Sequence, residues 1–241
     1  PIGESEGMSL ERSIAIDGPA GSGKSTVARM LARALGYRYV STGDLYRALA
    51  LEVLRQSADP YDEESVVRIA QSVSVSVEPA PDGGQRTIVG GEDVTALIRS
   101  AQVDSVVSPV SVYPRVRAHM VELQRAIARD TDVVMDGRDI GSVVLAESHC
   151  KFYLTASPEE RAARRQRDYA AQGRQVGLDE VHEEIAHRDM IDSTRRVSPL
   201  AVAPGAVVID CTAMSPTEVV AAMMQVVGGA DACSTQLREG F

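Results

Sequence analysis

The chain has no tryptophan, two phenylalanines and two lysines in 241 residues. With so few aromatic rings it lacks a stacking platform for single-stranded nucleic acid. Its formal net charge of −9 also opposes the basic face that general nucleic-acid binding requires, so no nucleic-acid partner is expected. Cysteine is scarce: Cys150, Cys211 and Cys233 stand apart, without metal-ligand spacing or the density of a disulfide framework. Such thiols suit a reducing compartment. The four histidines form neither H-x-x-H nor H-E-x-x-H. No run approaches the roughly 18 apolar residues of a membrane span, and no charged-then-apolar leader opens the sequence. A cytoplasmic chain without a membrane partner, and a monomer, is the expectation.

What is abundant is core and arginine. Hydrophobic residues make up 44% of the chain, ample for a packed interior, and arginines account for 23 of its 25 basic residues. A GC-rich genome alone could produce that bias, so single arginines carry little weight and their spacing must argue.

The segment Ile16-Asp-Gly-Pro-Ala-Gly-Ser-Gly-Lys-Ser-Thr26 contains G-x-x-x-x-G-K-S from Gly18 to Ser25. An apolar run, Ser13 to Asp17, precedes it and reads as a buried strand. A helical pattern with Val27, Met30, Leu31 and Leu35 follows, and Gly36 is placed to end it. Strand, loop and helix are the context in which this P-loop motif cradles a polyphosphate. Gly18, Gly21 and Gly23 let the backbone bend so that successive N–H groups, those of Ala20, Ser22 and Thr26 among them, converge on phosphate oxygens, with Pro19 a further member of the ATP-binding loop. The helix N-terminus adds its positive end. Lys24 can reach the β- and γ-phosphates, and Ser25 can ligate Mg²⁺.

Along the rest of the chain, strands alternate with helices. Strands are expected at 37–41, 131–136, 150–155 and 206–210, with helices from Thr42, over 113–129, after a Ser157/Glu160 capping box, over 178–196 and from Ser215 to Val227. Strict alternation in Ser72-Val-Ser-Val-Ser-Val-Glu78, the turn Asp82-Gly-Gly84 and the partner Gln85 to Val89 predict an antiparallel hairpin. The predicted fold is α/β, a doubly wound five-stranded parallel sheet of the P-loop type with an inserted small antiparallel subdomain and a helical lid. The organisation expected is a flexible lead-in at 1–12, core at 13–61, the insertion at 62–108, core again at 109–156, the lid at 157–187, core at 188–227 and a frayed tail at 228–241.

Three further groups narrow the chemistry. Thr42-Gly-Asp-Leu-Tyr-Arg47 opens a helix beside the P-loop. Asp136-Gly-Arg138-Asp139-Ile-Gly141 follows a core strand at the edge where open α/β sheets take ligands. Arg188, Asp192 and Arg195 recur at spacings of four and three, on one face of a helix. A planar guanidinium fork pairs bidentately with phosphate, which suits all of these arginines to a second anion site. Taken alone, the helix trio would equally form a solvated ion-pair ladder. Arg161 and Arg165, four apart on the lid helix, can point to one side.

The segments I-D-G-P-A-G-S-G-K-S-T, S-T-G-D-L-Y-R, G-E-D-V-T-x-x-I-R, Y-P-R-V-R, D-G-R-D-I-G and R-D-x-x-D-x-x-R run in order from about Ser13 to Val227. In this the chain resembles the bacterial cytidylate kinases, a branch of the P-loop nucleoside monophosphate kinases. The resemblance implies transfer of the γ-phosphoryl group of ATP to CMP or dCMP with Mg²⁺. It implies that Arg47, Arg138 and Arg195, with Thr42 nearby, hold the CMP phosphate, that Ser108, Arg117 and Asp139 read cytosine, and that Arg188 and Asp192 hold the ribose. Of Arg161 and Arg165 it implies that one packs on adenine (assigned to Arg161) and the other touches the moving phosphate. Asp136 would reach Mg²⁺ through water, and Lys24, Arg138, Arg165 and Asp136 would form the catalytic set. Pro109, beside Ser108, departs from the pattern and is expected to bend its helix. The rival readings are another P-loop kinase, acting on UMP, AMP, shikimate or dephospho-CoA, and a nucleotide-switch module, which would need an N-K-x-D run that the sequence lacks.

Overall fold

The computed structural model describes residues 12–129 and 131–238, with the backbone alone from residue 230 onward. Residues 1–11 and 239–241, where most of the expected lead-in and the end of the expected tail fall, lie outside the described residues.

The chain begins with β1 (Ser13–Asp17), all five residues of which are buried, as a strand covered on both faces must be. The loop after it leads into α1 (Lys24–Leu35), which ends at a left-handed Gly36 whose N–H bonds back to Ala32. Then come β2 (Arg38–Ser41), α2 (Thr42–Arg55) and α3 (Glu63–Ser72). The predicted hairpin is β3 (Val75–Pro79) and β4 (Gln85–Val89), and a third strand, β5 (Glu92–Asp93), extends it. Two residues are too few to show alternation, which is why β5 escapes sequence reasoning.

The chain continues through α4 (Ala101–Ser111), α5 (Pro114–Ala128) and β6 (Val133–Gly137). Pro109 lies inside α4 without ending it, two residues short of the C-terminus. After a π-type turn at Ile140–Val144 come β7 (Cys150–Thr155), α6 (Pro158–Ala171), α7 (Leu178–Thr194), β8 (Val207–Asp210) and α8 (Pro216–Arg238). Ser157 caps α6 by accepting from the Glu160 N–H at 3.2 Å. Ser215 and Glu218 form a reciprocal box at the start of α8. The last helix does not stop at Val227. It runs through Gly228 and Gly229 to Arg238, each glycine costing about 1 kcal/mol against alanine, while Ala230, Ala232, Gln236 and Leu237 favour continuation.

The large sheet has the order β2-β6-β1-β7-β8 and every pairing is parallel. From β1 the chain passes to β2 on one side, and from β6 it passes to β7 on the other. Adjacent strands β1 and β6 therefore send their connections in opposite directions, which opens a crevice at their C-terminal ends. The small sheet β3-β4-β5 is antiparallel and docks on β2 through Gln85, whose Oε1 accepts from the Ser41 N–H at 2.8 Å. The helices of the 62–108 span, α3 and α4, share one core with α2 and α5, where Leu45, Val66, Val103, Val116 and Met120 meet.

Candidate active site

The loop between β1 and α1 fills one side of the crevice. Its glycines are obligatory for two reasons. Gly18 and Gly21 hold φ at +149° and +73°, and a Cβ on them would meet the backbone oxygens of Leu154 at 2.0 Å and Arg161 at 2.6 Å. The loop is thus clamped between the end of β7 and the first turn of α6. Asp189 on α7 supports it, accepting from the Ala20 N–H at 3.0 Å.

Lys24 lies over this loop, 5% exposed, donating to the Pro19 carbonyl at 2.6 Å and to Ser22 Oγ at 3.3 Å. Burial, followed by the nearby Arg138, pulls its ammonium well below the ordinary lysine range. Opposite it, at the end of β6, Asp136 accepts from Ser25 Oγ and from the Tyr39 hydroxyl, each at 2.9 Å. Burial raises its pKa against the opposing pull of Lys24 and those two hydroxyls. Thr42 Oγ1 donates to the Asp136 carbonyl at 2.9 Å, tying the start of α2 to the same strand end. Asp17, the last residue of β1, accepts from the Ile140 and Gly141 N–H groups at 2.8 Å each and so locks the turn after β6 against the P-loop strand.

Across the crevice the arginines converge. Arg47, Arg138, Arg165, Arg188 and Arg195 line one cavity with Lys24, Ser25, Ser108, Arg117 and Asp139, its volume about 210 Å³. A larger open groove of about 1280 Å³ lies at the other end of the strands, around Arg12, Arg33, Arg38 and Arg129, far from every group just named. Arg138 donates from Nε to Asp192 at 2.8 Å, and Arg195 approaches the other oxygen of Asp192 at 3.3 Å. Arg188 forms no hydrogen bond or ion pair among the described residues, and burial followed by Arg138 lowers its pKa to about 10. Arg195 is also lowered, by burial and then by Arg117. Cations packed until they perturb one another form a site that favours an anion. Arg188 and Asp192 do share a face of α7. Arg195 does not lie on that helix: it caps it, in extended conformation with φ −60° and ψ 143°, and reaches the cavity because the chain leaves the helix there.

Beside the arginines is a polar corner. Arg117, 2% exposed, donates to Asp139 at 2.5 Å and to the Ser111 carbonyl at 3.2 Å, and its guanidinium stands 5.6 Å from the Tyr46 ring centre. Burial alone would lower the Arg117 pKa, but Tyr46 and Asp139 outweigh it and hold it up. The Tyr46 hydroxyl, pushed up to about 12 mainly by burial, has no hydrogen-bond partner among the described residues, and neither has Arg117 Nε. Buried orphans of this kind are costly and mark where a polar ligand completes the network.

The lid arginines divide differently from expectation. Arg165 faces the cavity. Arg161 turns behind the P-loop, donating to the Ala20 carbonyl at 3.0 Å, to the Ala156 carbonyl at 3.2 Å and to Asp189. Gly21 brings loop and helix too close for it to pass in front. Arg164, which spacing arguments passed over, bridges the Ser22 carbonyl at 3.2 Å and the Cys211 carbonyl at 2.7 Å beside Gly23. The run R-A-A-R-R held that information, but which of three arginines faces which way depends on how α6 docks. Asp104 left no signal, since an acidic residue in an ordinary helix is unremarkable, and Asp189 stands in the R-D-x-x-D-x-x-R segment without a role of its own. Among the described residues no group of three histidine, cysteine or carboxylate side chains could hold a metal, and no helix is long and apolar enough to cross a membrane.

A glycine-clamped P-loop at the switch point of a five-stranded parallel sheet, faced by a second anion site, defines a P-loop α/β protein of the small-kinase type. The fold recurs in the crystal structure of an uncharacterized protein from Eubacterium ventriosum, which is 10% identical with a TM-score of 0.50 over 90% of this chain and 99% of that one. The family model described as Cytidylate kinase matches residues 14–228, and the chain belongs to the cytidylate kinase family. It is 50% identical over 207 residues to a cytidylate kinase of Symbiobacterium thermophilum, covering 86% of this chain and 92% of that one. It is 49% identical over 214 residues to one of Mycobacterium avium, covering 88% and 93%.

Proposed function

We propose that the protein transfers the γ-phosphoryl group of ATP to CMP or dCMP, giving ADP and CDP or dCDP. The observation that carries this reading is the facing of two anion sites, the P-loop with Lys24 and the cluster Arg47, Arg138 and Arg195, across a single crevice. Family membership supplies the substrates.

In this reading the P-loop backbone and Lys24 hold the ATP phosphates, and the arginine cluster holds the monophosphate. An oxygen of the CMP phosphate forms the new bond to γ-phosphorus while the bond to the bridging β-oxygen breaks and its electrons leave on ADP. The attacking oxygen is already anionic, so no general base is needed. The work is alignment and charge stabilisation. Arg165, together with Lys24, meets the charge on the transferring group. Ser25 and Asp136 present a hydroxyl and a carboxylate, hard oxygen donors that fit Mg²⁺, which when bound supplies further neutralisation of the ATP phosphates. Arg188 and Asp192 would hold the ribose between phosphate and base.

The base falls in the Ser108, Arg117 and Asp139 corner, where a carboxylate can accept from the cytosine amino group and a guanidinium can donate to N3 and O2. On the outer side, Arg164 rather than Arg161 would cover the ATP base, since it stands beside Gly23 with its guanidinium held by the Ser22 and Cys211 carbonyls. The cavity is smaller than the roughly 300–1,000 Å³ of ligand sites, and in this reading the lid, α6 and the segment after it, opens to admit the two nucleotides and closes over them.

Coupled measurement of ADP release with CMP, dCMP, UMP and AMP tests the proposal. CMP and dCMP should turn over well and UMP poorly. A preference for AMP or UMP would sink it in favour of a related P-loop kinase.

A further inference from the structure

Asp104, in the first turn of α4, is absorbed by none of the roles above. Its side chain is 12% exposed and meets three arginines from three parts of the chain. Oδ1 accepts from Arg47 on α2 at 2.6 Å and lies 3.4 Å from Arg165 Nη2 on α6. Oδ2 accepts from Arg174, in the segment between α6 and α7, at 2.8 Å. The two lid arginines are not independent of each other. Both guanidinium groups stack on the Tyr169 ring, at 4.4 Å for Arg165 and 4.0 Å for Arg174. Tyr169 is itself 1% exposed and fixed by its hydroxyl to Glu184 at 2.7 Å. Arg174, Tyr169 and Arg165 thus form a stack whose two guanidinium groups both meet Asp104, which also grips Arg47, while Arg165 also lies 4.0 Å from Glu184. Burial would raise the Asp104 pKa, but Arg47 and its companions outweigh it and keep the group anionic.

We propose that Asp104 is a positioning residue for phosphoryl transfer. It fastens the lid stack to the monophosphate side of the crevice and sets the Arg165 guanidinium where the transferring phosphate passes. The carboxylate offers no attraction to a phosphate, so its contribution is the alignment of Arg165 and not substrate affinity. Removing its charge leaves the neighbouring arginines more available to CMP in the ground state while Arg165 loses its anchor.

The inference rests on the phosphotransfer reading above, and the experiment separates the two. Steady-state kinetics with CMP and ATP are measured for wild type, D104N, R165A and the double variant. Tryptic cleavage after Arg174 is followed by mass in the ligand-free wild type and D104N. D104N should lower kcat roughly tenfold or more, with KM for CMP unchanged or lower. It should cause no further loss in the R165A background, and cleavage after Arg174 should be faster. An unchanged kcat, an equal fold-loss in both backgrounds, or a raised KM with kcat intact would overturn the proposal. If D104N does not fold, R174Q removes one of the two lid contacts to Asp104 and leaves the Arg47 contact in place. It should lower kcat several-fold at constant KM, and a wild-type kcat would refute the alignment role. A wild type that fails to phosphorylate CMP defeats the functional reading, whereas the ligand-free cleavage pattern still decides whether Asp104 fastens the lid.

Discussion

Asp139→Asn is the most informative single substitution, because it acts on stability and on base choice through different atoms. Asp139 and Arg117 are 7% and 2% exposed at the side chain and 2.5 Å apart, with Arg195 at 3.7 Å from the other carboxylate oxygen. Removing one member of a buried pair costs about 3–5 kcal/mol. Here the amide oxygen still accepts, and Arg117 keeps the Ser111 carbonyl and the Tyr46 ring, so the loss should fall to about 2–3 kcal/mol. For a chain of this size that is a fall of about 5–10 °C in Tm. The same change lets the amide turn a donor toward O4 of uracil, where a carboxylate presents only lone pairs. The CMP-over-UMP ratio of kcat/KM should therefore narrow by about 1–3 kcal/mol, roughly 5- to 150-fold. Thermal melts and kcat/KM for both nucleotides, in wild type and variant, give the two quantities separately. A lowered Tm with an unchanged ratio would make Asp139 the counter-ion of Arg117 and nothing more, and the cytosine assignment would lose its physical support.

Other expectations follow from the same geometry. Lys24→Ala should leave CMP binding nearly intact and lower turnover by orders of magnitude, and retention of more than about a tenth of wild-type turnover would remove the P-loop from the mechanism. Arg138→Ala should weaken CMP and slow transfer together, while Arg165→Ala should act mainly on turnover; equal small effects on both parameters for Arg165 would place it on a merely solvated face. Burial raises the Asp17 pKa from 3.8 to about 6, against the Gly141 and Ile140 N–H groups that oppose it. The unfolded chain gives up this proton first, so the contribution is full below about pH 4, is lost as pH rises through about 6, and amounts to about 3 kcal/mol. Melts of wild type and Asp17→Asn from pH 4 to 8 should show the difference in stability falling across that window, and a flat difference would refute the assignment.

Elements that depend on local pattern can be read from the residues alone. The apolar run before Gly18, the 3.6-residue period after Lys24, the left-handed stop at Gly36 and the alternation of Ser72 to Glu78 each specify backbone conformation within a few residues. They needed no distant partner to be legible. The P-loop was legible for the same reason, since its glycines answer a local demand for positive φ and its lysine follows at fixed spacing. Tertiary structure decided what lies between elements. Arg161 and Arg165 are four residues apart and look equivalent in the chain, yet the close approach of Gly21 to α6 sends one behind the loop and leaves the other in the cavity. Arg195 reaches its place by ending a helix instead of riding on it. Asp104 is a plain helix-start acid until packing brings α2, α6 and the segment after α6 to its two oxygens. Periodicity fixes the direction of a side chain relative to its own element, but the partner it meets depends on the docking of elements distant in sequence, and only the packed core sets that docking.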